Sequence, residues 1–144
     1  MQAQQWLTSV RNWRQADWVR LYCRAMALFA LQGAVVLGLY AVQGWHTDPS
    51  SLPLGLQLDP LHGLIHLVTG MLGAYFGFLR PARALAFLQL FAVFYLSLAV
   101  LGTFTHVHLG MQLELPENAL HWALSVPAIA IAFGPAILSR LVSR

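Results

Sequence analysis

The sequence predicts an all-α integral membrane protein: a four-helix bundle made of two tandem hairpin repeats, preceded by an interfacial amphipathic helix. Three observations predict it. Hydrophobic residues make up 58% of the chain and charged residues 9%, and the mean hydropathy is +0.64. A soluble domain near this length would still expose roughly 30% of its unfolded-chain surface, so these apolar groups need lipid. Four segments, about 19–42, 60–79, 84–104 and 117–138, have the composition and the length of about 20 residues needed to cross a ~30 Å hydrocarbon layer. Finally, sliding the sequence by fifty-five residues lays Leu54–Asp59 (LGLQLD) on Leu109–Glu114 (LGMQLE), His62 on Glu117, Ile65 on Leu120, His66 on His121 and Tyr40 on Tyr95. A tandem repeat is the simplest account of that match. Repeats of like orientation are related by an axis along the membrane normal, so His66 and His121 are expected to meet at that axis. One domain, residues 1–144, uses the whole chain.

Residues 1–18 place Trp6, Val10, Trp13 and Asp17 or Trp18 at helical spacing, with Arg11 and Arg14 among them. They lack the apolar core of a cleavable signal. The pattern predicts a helix lying on the inner leaflet with its tryptophans at headgroup depth. In the first span Gln32 falls near mid-membrane, where an amide usually bonds to a neighbouring helix for about 1 kcal/mol or less. Cys23 is the single cysteine, without a disulfide partner, and reads as a packing residue. His46, in the first outer loop, reads as solvated.

The second span opens at Asp59-Pro60. Asp59 is a good N-cap and Pro60 suits the first helical position, where its missing N–H costs nothing. His62 and His66 follow four residues apart, hence on one face. Gly70, Gly73, Ala74 and Gly77 then form a small-residue stripe of the kind that lets helices approach closely in lipid. The turn LRPAR leads to a third span carrying Gln89, Tyr95, Ser97 and Thr103. His106 and His108 beyond it share a direction on an extended loop. The fourth span has Pro116 near its first turn, Glu117 favoured there by the helix dipole, and His121 one turn further in. Pro127 is expected to kink it.

The basic balance does not point to nucleic acid. The chain has eight arginines and no lysine. Arg11, Arg14, Arg20 and Arg24 precede or open the first span, Arg80 and Arg83 flank the short turn, and Arg140 and Arg144 close the chain. The two longer loops hold Asp48, Asp59 and Glu114 and no basic residue. The positive-inside rule then puts both termini in the cytoplasm of a bacterial inner membrane.

His62 to Gly73, H-x-x-I-H-L-x-x-G-x-x-G, and Glu117 to His121, E-N-A-L-H, resemble the two signatures of a bacterial membrane family, domain-of-unknown-function family 4383. Its members are similar in size with four predicted spans, and carry H-N-x-x-H-L-x-x-G in the first half and D-N-x-x-H-L-x-x-G in the second. Here Gly63 stands where Asn is usual, Glu117 for Asp, Trp122 for Leu and Ser125 for Gly. The resemblance implies the span count and marks His62, His66, Glu117, Asn118 and His121 as family features. It implies no function.

Function must therefore come from the polar groups. His62, His66, Glu117 and His121 at one depth are expected to form a metal site for zinc or iron, with Asp59 behind His62 as an outer acceptor. His66 and His121 alone suit the two axial positions of a non-covalent b-type haem. The alternative is a structural or assembly subunit of a larger membrane complex, or of a homo-oligomer, with the cluster serving only as an interhelical hydrogen-bonded clasp and no cofactor bound. No GxSxG, HExxH or phosphate-binding loop occurs, so the sequence favours a binding or structural protein over an enzyme.

Overall fold

The computed structural model describes residues 2–46, 48–49, 58–105, 107–108, 111–112 and 115–142. The repeat match at Leu54–Gln57, His106, Leu109, Gly110 and the 113–114 pair lie outside the described residues, as do Arg144 and the side chains of Trp6, Arg11, Trp13 and His108. Among the described residues the chain forms α1 (Gln2–Ala25), α2 (Ala27–Gln43), α3 (Pro60–Ala74), a π-helical turn (Tyr75–Leu79), a 3₁₀ turn (Pro81–Arg83), α4 (Ala84–Phe104), β1 (Val107–His108), β2 (Met111–Gln112) and α5 (Leu115–Val142). The two short strands pair antiparallel, Val107 with Gln112 and His108 with Met111.

Among the described residues four stretches are long and apolar enough to cross a membrane: Arg14–Gln43, Pro60–Leu79, Pro81–Phe104 and Leu115–Leu141. The expected break between a helix over 1–18 and a span from residue 19 is displaced. α1 is continuous to Ala25, and the interruption falls at Met26, against which Gly70 and Gly73 of α3 come to rest. Large apolar side chains face outward while several polar ones are buried. Val42 and Leu90 are 87% and 74% exposed, while His66, His121 and Ser125 are fully buried. Apolar exposure on this scale is stable only against lipid, and buried ionisable groups in lipid face the bundle interior.

α2 packs on α3 and α4 on α5, giving two hairpins. The first closes backbone to backbone: a Cβ on Gly33 would lie 2.4 Å from Gly63 O and Leu67 N, and one on Gly70 would lie 2.1 Å from Ala30 N. The small-residue stripe of α3 therefore faces α2 and the end of α1. Its histidine face looks toward Tyr95 of α4 and His121 of α5, with Phe29 and Gln32 of α2 at the edge beside His66.

α1 ties the two hairpins together at the end carrying Arg80 and Arg83. Val19, Cys23 and Met26 join Phe87, Leu88, Phe91, Ala92, Tyr95, Ala128 and Ala132 in the main apolar cluster. Its polar side chains supply donors where other helices are short of them. Pro135 inside α5 has no N–H and its ring displaces the carbonyls one turn before it. Gln15 Nε2 donates to two of these, Ile131 O at 3.0 Å and Ala132 O at 3.4 Å. Tyr22 donates to Leu124 O at 2.6 Å, three residues before Pro127. Arg24 Nε donates to Gly77 O at 3.0 Å, where α3 ends as a π turn closed by Arg80 N on Tyr75 O.

Candidate functional site

The site is built from two helix beginnings. Asp59 is extended, and its Oδ1 accepts from the backbone N–H of His62 at 2.9 Å, with Pro60 in the first turn. This is the expected cap, and it fixes where α3 starts and so the depth of its histidines. α5 starts at Leu115, two residues before the expected position, and holds Glu117 in its first turn. Carboxylates thus stand in the opening turns of both helices, where the helix dipole favours them.

His62, His66 and His121 are all buried. One ring nitrogen from each lies within 4.8 Å of the others. Ring centroids are 4.7 Å apart for His62 and His66 and 5.3 Å apart for His62 and His121. Glu117 is buried one helical turn from His121, but the close group consists of the three imidazoles. Asn118 turns the other way, to Thr103 Oγ1 of α4 at 3.3 Å, with Trp122 Nε1 on the same hydroxyl at 3.2 Å. His46 is exposed in its turn and is not one of the grouped histidines.

Four side chains that the sequence did not assign to the site surround it. Gln32 Oε1 lies 3.1 Å from His66 Nδ1. An amide oxygen can only accept, so Nδ1 carries the ring proton and Nε2 presents its lone pair. Among the described residues that Nε2 and both ring nitrogens of His121 make no hydrogen bond. Tyr95 stacks edge-on against His121 at 5.5 Å and lies 6.4 Å from His66. Thr69 spends its proton on Ile65 O at 2.7 Å, so the Tyr95 hydroxyl donates to Thr69 Oγ1 at 3.1 Å. Phe29 closes the far side, edge-on to His66 at 5.0 Å. Gln32 announced itself in the sequence as an amide at mid-span, and Thr69 as a hydroxyl one turn below His66. Neither signal said which way its helix was turned.

The arrangement is asymmetric. Under the fifty-five-residue offset Gln32 corresponds to Phe87, which lies in the apolar cluster, so His121 has no counterpart to the amide that holds His66.

Fold and site together define a multi-pass helical membrane protein with a buried histidine cluster where its two hairpins meet. The family model described as Domain of unknown function (DUF4383) matches residues 42–134, well over half of the chain, and the chain belongs to that family. The match takes in α3, α4 and all of the clustered histidines. No curated protein and no solved structure matches the chain.

Proposed function

We propose that the protein binds a divalent metal ion, zinc or iron, on His62, His66 and His121, with Glu117 completing the set and Asp59 and Gln32 fixing its geometry from outside. The observation that carries this reading is the approach of three buried imidazoles to within 4.8 Å, one of them held as a lone-pair donor by an amide oxygen 3.1 Å away. Neutral imidazole with its second nitrogen hydrogen-bonded is the usual form of a histidine ligand. A tetrahedral zinc with bonds of about 2.0–2.1 Å spaces its nitrogens about 3.4 Å apart. Closing the present set from 4.8 Å to that spacing takes an approach of about 1.4 Å between ring nitrogens.

The same histidines would serve a b-type haem through His66 and His121 alone. A macrocycle needs a flat slot between its axial ligands, however, and His62 packs close to His66 and His121, with centroids 4.7 and 5.3 Å away, so the metal ion is the better supported ligand. The competing class is a structural subunit in which the cluster is only a clasp; the Gln32–His66 bond, 34 residues apart in sequence, favours that reading. To the same proposal belong the tandem duplication, the placement of the whole chain as one domain, and the orientation with both termini in the cytoplasm of a bacterial inner membrane.

Elemental analysis and a visible spectrum of the purified protein test it, followed by His62→Ala, His66→Ala, Glu117→Gln and His121→Ala singly and in pairs. At a shared metal site each single change lowers metal per protein, and a second adds little once the metal is gone. A haem would be lost with His66 or His121 and only perturbed with His62 or Glu117. A parent protein that folds at full strength with no bound metal or pigment would sink both ligand readings and leave the clasp.

A further inference from the structure

The end of the bundle opposite the histidines carries an open groove of about 630 Å³ between α1 and the turn that joins α3 to α4. Ala16, Val19, Pro81, Ala82 and Leu85 give it apolar walls, and Arg20 stands at its side. Pro81 and Ala82 lie between Arg80 and Arg83, both exposed. Arg20 pairs with Asp17, the one acidic residue in the sequence on this side; Asp48, Asp59, Glu114 and Glu117 all belong to the opposite loops and helix starts. The groove thus has an apolar floor, with Arg20 in its lining and the exposed Arg80 and Arg83 flanking its Pro81 and Ala82 in the chain, at the level where the spans end. That combination suits a molecule that is apolar for most of its length and anionic at one tip. Basic pockets between helix ends at a membrane surface are recognised sites for anionic headgroups.

We propose that this groove holds an anionic phospholipid, with an acyl chain along Ala16, Val19, Pro81, Ala82 and Leu85 and the phosphate at Arg20, Arg80 and Arg83. The lipid would bridge α1 to the α3–α4 turn, adding to the contacts Arg24 makes with Gly77 O and the Cys23 thiol with Ala84 O at 3.7 Å.

The full-length protein, purified in a mild detergent, is titrated with phosphatidylglycerol and with phosphatidylcholine of identical acyl chains, and retained lipid is read by native mass spectrometry. The parent should retain phosphatidylglycerol over phosphatidylcholine. Each of Arg20→Gln and Arg83→Gln should reduce that preference roughly fivefold, the effect of one cation near an anionic surface. Because Arg20→Gln also breaks the pair with Asp17, the exposed Arg83→Gln change carries the test if the former fails to fold. Ala82→Leu, which fills the groove from an exposed position, should lower retention of both lipids. Glycerol 3-phosphate, a headgroup without a tail, should not displace the lipid. Equal retention of the two lipids by the parent overturns the proposal. So does a preference that survives Arg83→Gln, or full displacement by glycerol 3-phosphate, which would make this a phosphate site rather than a lipid site.

Discussion

Replacing Gly70 by alanine tests the packing that aims the histidines. A Cβ built there lies 2.1 Å from Ala30 N and 2.8 Å from both Ala30 Cα and Met26 O, against an ordinary contact that begins at 3.4 Å. The obstruction is backbone, so no side chain can swing aside. α2 and α3 would have to part or slide by roughly 1 Å, and overpacking of this kind typically costs about 1–3 kcal/mol. We place Gly70→Ala at the upper end, about 3 kcal/mol, because two helix backbones must move together. His66 is one turn away on the same helix, so the displacement also separates it from Gln32 and His121. Gly38→Ala is the internal control: nothing lies within 4 Å of its added Cβ, and the better helix propensity of alanine should leave stability unchanged or raise it by up to about 1 kcal/mol. Reversible unfolding of both variants in one detergent, with bound metal per protein measured in parallel, gives the comparison. If Gly70→Ala unfolds together with the parent and keeps its metal, the backbone contact is not what positions the site.

Gln32→Leu keeps the volume and removes the acceptor from His66; metal affinity should fall by about 10–100-fold, while stability should fall by only about 0.6 kcal/mol, and unchanged metal retention would show that the amide plays no part in ligation. Tyr22→Phe deletes the 2.6 Å bond to Leu124 O and should lower stability by about 1 kcal/mol or less; an unaltered unfolding curve would mean that water or the helix itself satisfies that carbonyl. Asp59→Ala should cost about 1 kcal/mol through the lost cap, whereas Asp59→Asn should cost little. Equal losses would assign the effect to charge rather than to capping. A reporter fused after Arg144 should be active only in the cytoplasm, since the eight arginines segregate to one side, and an outward-facing reporter would invert the topology.

Several of these features were legible in the sequence because they are local. Asp59-Pro60 fixed the start of α3 through a cap that spans three residues. The spans followed from apolar length alone, and each stretch in the structure overlaps its expected range. The four-residue spacing of His62 and His66 already placed them on one face. Other features were legible only in part. The glycine stripe of α3 signalled a close neighbour without identifying it, and that neighbour is α2 with the end of α1. Pro127 was visible as a proline inside the fourth span, but Gln15 and Tyr22, which donate to α5 carbonyls, lie 116 and 102 residues from their partners, and no local pattern links them.

The sequence by itself determined that this chain lives in lipid, how many times it can cross, and which residue types lie at the opening of its second and fourth spans. Those properties depend on composition and on helical period, and both act over a few turns. Only the tertiary structure decided that the close group is the three imidazoles of His62, His66 and His121, that Gln32 holds His66 Nδ1, and that the approach of Gly33, Gly63 and Gly70 turns α3 to present its histidines inward. Helix rotation about its own axis is set by how the rows of neighbouring side chains and bare backbone fit together. A one-dimensional pattern carries each row but not the partner it fits.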